Sequence, residues 1–233
     1  EREIFQVGAE LIGKDSISID AEIIIMMIQS LKRLGLQSFQ VSLGHVGFLK
    51  ALLEESGMSA QGRSVVEEAA SGKDLPRLET VLKQERVPAK IARVLREVPN
   101  LYGRDEVLAR GRVLAGRNAG ARVALDRLEG LYQLLKAADL HSSVLLDLGE
   151  FRGFDYYDGV VFDVFAEGLG FELGGGGRYN HLIGKFGRNL PSTGFAFDVG
   201  RLFQVLEQTQ QHLQGRPPDC LLLAVEARTK QLF

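Results

Sequence analysis

The chain has no tryptophan and a single cysteine among its 233 residues. One thiol, Cys220, cannot close an internal disulfide, which fits a reducing compartment. Long apolar runs are also missing. The densest early stretch, "IIIMMI" at 23–28, falls far short of the roughly 20 residues that span a bilayer. No basic-then-apolar leader opens the chain. These absences predict a soluble, cytoplasmic protein with no membrane partner. A net charge of −2 leaves no whole-molecule field toward nucleic acid or anionic lipid. The four histidines (His45, His141, His181, His212) lack metal-ligand spacing, so neither a metal nor another cofactor is expected. No Gly-x-Ser-x-Gly elbow supports a hydrolase.

What remains is an ordinary globular composition, 45% hydrophobic and 25% charged, long enough to bury a sizeable core. Glu1-Arg2-Glu3 leads straight into the alternating "IFQVGAELIG", which predicts a strand over 4–12 and a further part of the fold upstream. Asp20 is the expected N-cap of a helix running to Leu34 and ended by Gly35. "SFQVSLG" at 38–44 alternates again as a strand. Between 46 and 140 apolar residues recur at helical spacing, for example Leu75, Leu78, Val81 and Leu82. Strand character returns at 143–149, in the Val-, Phe- and Tyr-rich segment 156–179, and at 192–200; a helix follows to about Leu213. "QGRPP" at 214–218 reads as a linker and "CLLLAV" at 220–225 as a first strand beyond it. The predicted class is α+β, an antiparallel sheet flanked by helices with a helical insertion. The expected divisions are 1–45 and 141–213 for the two parts of a core, 46–140 for the insertion, and 214–233 for linker and tail.

Three segments could carry chemistry. In "FELGGGGRYNHLIGKFG" (171–187), Gly174 to Gly177 run into Arg178 and Tyr179. A P-loop needs Lys-Ser/Thr after its glycines, and a dinucleotide fingerprint needs a parallel strand-to-helix turn; neither is present. Consecutive strand glycines mark either a close approach of ligand or backbone, or a bulge or turn. In "EFRGFDYYDGVVFDV" (150–164), Arg152 beside Tyr156 and Tyr157 could hold an anion against aromatic walls, or could be an edge-strand residue. In "GFAFDVGRLFQVL", Arg201 opens a helix and matters only if it converges with the others. Between 88 and 136 ten Lys and Arg face five acids, without an aromatic stacking platform, so this stretch reads as a solvated face and no nucleic-acid partner is expected.

Taken in order, these segments resemble the class II aminoacyl-tRNA synthetase core of the histidyl-tRNA synthetase type. "IFQVGAELIG" is similar to the second strand of motif 2, "RGFDYYDGVVFDV" and "GGGGRYNHLIGKFG" to the two histidine signatures, and "STGFAFDVGRL" to motif 3. Within that superfamily the chain more closely resembles the regulatory subunits of ATP phosphoribosyltransferase, synthetase paralogues. "YNHLIGKFG" and "GFAFDV" have their character, and Gly200 stands where the synthetase carries an acid before its arginine. The resemblance implies a non-catalytic subunit, dimeric within a hetero-oligomer, that joins a short catalytic subunit in the first step of histidine biosynthesis and passes on feedback by L-histidine. It implies a histidine pocket at Gln6, Glu10, Arg152, Tyr156, Tyr157, Gly175 and Gly176, with Glu10 taking the α-amino group. Arg201 would be a residual nucleotide position. The rival implication is a catalytic fragment of histidyl-tRNA synthetase.

Overall fold

The computed structural model describes residues 3–150, 156–167 and 169–208. The chain opens on β1 (Gln6–Ile12) and turns into α1 (Ile17–Arg33). The spacing of Ile24, Met27, Ile28 and Leu31 puts them on one face of α1, where all four are fully buried. Each such side chain stabilises the fold by roughly 1.5–3 kcal/mol. The helix starts a turn earlier than expected. Ser16, not Asp20, is the N-cap, its hydroxyl accepting from the Ile19 amide at 3.3 Å. Asp20 lies within the first turn and is 1% exposed, because its carboxylate meets a buried arginine, Arg178, far along the chain. Leu34 caps the C-terminus, and Gly35 follows at φ +87°, as the glycine there predicted.

Next comes β2 (Phe39–His45), continuing directly into α2 (Val46–Glu54). Four more helical segments follow: α3 (Ala60–Ser71), α4 (Leu75–Gln84), α5 (Ala89–Glu97) and, after the two-residue strand β3 (Tyr102–Gly103), α6 (Asp105–Ala115). The longest helix, α7 (Ala119–Ala137), is capped by Asn118, which accepts from the Ala121 amide at 2.8 Å and donates to Ala51 O at 2.8 Å. Then come β4 (Val144–Asp147), β5 (Val160–Ala166), β6 (Glu172–Arg178), β7 (Ser192–Asp198) and α8 (Val199–Gln208).

The seven described strands form one sheet in the order β1-β7-β6-β5-β2-β4-β3. Antiparallel pairing dominates, as expected, with one departure: β4 lies parallel to β2. A parallel neighbour requires a long crossover, and the helices α2 to α7 supply it. One sheet face is covered. Val41 and Leu43 of β2, Phe162 and Val164 of β5, and Phe195 and Phe197 of β7 pack with α1 and α7 in a continuous core that extends through the helical block. The other face carries few large side chains and is open. At the edge, β1 pairs only with β7 among the described residues, leaving Phe5, Val7 and Ile12 exposed. No described helix is long and apolar enough to cross a membrane. Arg152, Cys220, the segment 214–218 and the segment 220–225 lie outside the described residues.

Candidate functional site

Strand alternation decides what the open face presents. Along β1 the even-numbered residues Gln6, Gly8 and Glu10 stand opposite Asp198, Ala196 and Gly194 of β7. Continuing across the sheet, Ala196 and Gly194 pair with Gly175 and Gly177 of β6, and those with Asp163 and Val161 of β5. The centre of this face is therefore glycine and alanine, a floor free of large side chains of its own.

Each glycine on the floor has its own reason. A Cβ on Gly177 would come 2.9 Å from the Tyr157 ring and 2.6 Å from Val160 O. One on Gly194 would overlap the Glu10 carboxylate. Gly176 alternates to the opposite, helix-covered face, between Phe162 and Phe195. A side chain there would run into Gly194 O and the β7 backbone, so this glycine serves strand pairing. Gly175, buried, stays on the open face.

At one end of the floor three tyrosines meet. The rings of Tyr156 and Tyr157 lie 4.5 Å apart, tilted by 44°. Tyr179 stands edge-on to both, at 5.8 and 6.3 Å. Tyr157 is buried against Val46 and Val161. The Tyr179 hydroxyl donates to Glu10 Oε2, joining the aromatic wall to β1. Burial, the hydrogen bond to Glu10 and that carboxylate's negative charge together push the Tyr179 phenol well above its ordinary value, so it stays a donor at neutral pH. Tyr179 is not among the pocket residues the motifs imply, although it directly follows the four glycines and Arg178.

Arg178, the residue before it, is structural. Fully buried, its guanidinium grips Asp20 through Nε at 2.8 Å and Nη2 at 2.7 Å. Nη1 donates to Asn180 Oδ1 at 2.9 Å. Burial holds the Asp20 carboxyl above its ordinary value, and the hydrogen bond and charge of Arg178 with the charge of Arg127 offset this only in part. This clamp fixes the end of β6, and hence Tyr179, against α1. Nearby, His181 Nδ1 and Asp158 Oδ2 are 2.6 Å apart.

At the other end of the floor stand Gln6 and Arg201, four strand positions from Glu10, roughly 13 Å away. Arg201 Nη1 lies 2.6 Å from Glu172 O and 2.9 Å from Glu172 Oε1, and Nε 3.5 Å from Asp198 Oδ2. The guanidinium also covers the Phe171 ring at 4.9 Å. The structure thus brings Glu10, Tyr156 and Tyr157 together; Gln6 lies farther along β1, opposite Asp198, whose carboxylate Arg201 meets. Among the basic residues of the helical block, Arg96, Arg112, Arg127 and Lys136 each pair with a carboxylate.

A mixed sheet with one helix-covered face and an open, glycine-floored face walled by tyrosines defines a class II aminoacyl-tRNA synthetase-like catalytic core. The family model described as histidyl-tRNA synthetase matches residues 1–202, and the chain belongs to that family. Its relatives include proteins named ATP phosphoribosyltransferase regulatory subunit. That from Geobacter metallireducens is 37% identical over 95% of this chain and 51% of its own length. That from Desulforamulus reducens is 36% identical over 95% of this chain and 55% of its own. A crystal structure described as an ATP phosphoribosyltransferase regulatory subunit/histidyl-tRNA synthetase from Bacillus halodurans superposes with a TM-score of 0.81 at 32% identity, covering 87% of this chain and 53% of that one. The chain spans about half the length of the relatives it matches.

Proposed function

We propose that this chain is the synthetase-like portion of a regulatory subunit of ATP phosphoribosyltransferase, a non-catalytic partner of the short catalytic subunit in the first step of histidine biosynthesis. The observation that carries this reading is the state of Arg201. The arginine at this position would hold ATP phosphate in a synthetase, yet here Glu172 and Asp198 hold its guanidinium. A phosphate approaching it meets two carboxylates as well as the cation, which disfavours nucleotide binding. The amino-acid end is kept. Glu10 offers a carboxylate to an ammonium or ring N–H, and Tyr156 and Tyr157 wall a small flat side chain. The names of the relatives support the same assignment.

L-Histidine is the effector on this reading, bound by Arg152 and lying along the floor over Gly175 with Glu10, Tyr156 and Tyr157 at one end and the Gln6 side chain reaching toward it from the other, while Gly176 holds the sheet beneath. It changes the partner's activity only by binding two states of the complex with different affinity, a coupling typically of about 1–3 kcal/mol. A dimer of the regulatory subunit within a hetero-oligomer is the corresponding assembly.

The test uses the full-length protein. Mixed with a short catalytic ATP phosphoribosyltransferase it should stimulate phosphoribosyl-ATP formation, and alone it should show no histidine-dependent ATP–pyrophosphate exchange. Calorimetry should give saturable histidine binding that Glu10→Ala weakens at least about tenfold. Exchange activity by the protein alone would establish the synthetase reading instead.

A further inference from the structure

On the same open face, far from β1, lies a cavity of about 440 Å³. Gln40 and Ser42 of β2, Asp147 of β4, Lys73, Tyr102 and Glu150 line it. It is separate from the tyrosine cluster. Glu150 accepts from Ser42 Oγ at 2.5 Å, and its Cβ lies 2.6 Å from where a Cβ on Gly44 would stand. Glu150 therefore crosses β2 between this cavity and Val161, the strand neighbour of Gly44 that packs on Tyr157.

The lining holds charges of both signs. Lys73 Nζ lies 3.0 Å from Asp147 Oδ2 and 3.7 Å above the centre of the Tyr102 ring. Asp147 Oδ1 accepts from the Gly149 amide at 2.9 Å. The Lys73 side chain is 43% exposed and Asp147 only 13%, so the lysine can swing into solvent while the carboxylate stays in place. Gln40 Nε2 is buried and has no hydrogen-bond acceptor among the described residues. A buried amide donor without an acceptor is costly, and a ligand oxygen would relieve it.

We propose that this cavity binds a free α-amino acid as its zwitterion. The ligand carboxylate accepts from Gln40 Nε2 and from Lys73. Its ammonium takes the place of Lys73 at Asp147 and is shared with Glu150. A simple carboxylate would meet Asp147 and Glu150 with like charge, and a simple amine would leave the Gln40 amide without an acceptor; only a molecule with both groups answers the whole lining. The volume suits a small ligand. This site does not depend on the histidine pocket proposed above.

The experiment is NMR on the full-length protein with 15N-glutamine labelling, the Gln40 side-chain amide being assigned from its loss in Gln40→Leu. L-Alanine, L-glutamine and L-histidine are titrated, with propionate and ethylamine as single-charge controls. The expected result is a saturable shift of the Gln40 amide by at least one amino acid, with a Kd of about 1 mM or tighter. Both controls should bind at least about tenfold more weakly. Lys73→Met, at a half-exposed position that should fold normally, should weaken binding by a similar factor, and Glu10→Ala should leave it unchanged. No saturable shift with any of the three amino acids, equal binding of either control, or indifference to Lys73→Met would overturn the proposal. So would loss of the Gln40 response in Glu10→Ala, which would place the ligand at the tyrosines.

Discussion

His45 ends β2 and caps α2, and it does so with a nitrogen. Its Nδ1 accepts from the Gly47 amide at 3.1 Å, which keeps the ring proton on Nε2, itself buried without a hydrogen-bond partner among the described residues. Burial, aided by the positive charge of Arg127 and opposed by Asp158, pushes its pKa down to about 4. The sign of the consequence follows from linkage. Below the ordinary value of 6.5 the unfolded chain takes up a proton that the folded chain refuses, so stability falls as pH drops from about 6.5 toward 4. A shift of this size corresponds to a loss of roughly 3 kcal/mol at the acid end. His45→Asn keeps a capping acceptor and removes the titration. Urea unfolding at pH 7.5 and pH 5 should show a clearly smaller acid-side loss in the variant; an identical loss would exclude His45 as its source.

Elements were legible where the pattern was local. The apolar spacing of α1, the alternation of β2 and β7 and the Gly35 stop could all be read from consecutive residues. Asp20 shows the limit. It has the chemistry of an N-cap, but its function in the fold is set by Arg178, which arrives 158 positions later in sequence. The two elements of that contact predict different variant costs. Ser16→Ala removes a cap and should cost about 1 kcal/mol. Asp20→Ala strands a buried guanidinium and should cost about 3–5 kcal/mol. Chemical denaturation midpoints of the two variants test this order, and equal costs would refute it. The strand β3, with two residues, is too short to have a period, and the parallel pairing of β4 with β2 has no local signature at all. The site divides in the same way. Glu10 and Tyr156/Tyr157 could be named from motifs and do lie together, whereas four glycines in a row carry no side chains to say which of them line the open face. Alternation assigns Gly175 and Gly177 to the open face and Gly176 to the other.

At the scale of the molecule, the helical block is not a detachable lobe. Leu125, Leu128 and Leu131 of α7 share one buried cluster with Ile24 and Ile28 of α1 and Phe162 of β5. A continuous core unfolds as a unit. Native-state hydrogen exchange should therefore give the slowest amides of α7 and of β5 the same opening free energy and the same denaturant dependence. A lower value confined to α7 would show that the helices open alone. The sheet itself joins distant parts of the chain, since Gln6 at one edge pairs with Asp198. During synthesis at about 5–20 residues per second, β1 thus waits roughly 10–40 seconds for the strand that will hold it. Throughout that interval the side of β1 that β7 will pair is open, and an open strand edge is the form in which a nascent chain is most easily captured by a chaperone or by another copy of itself.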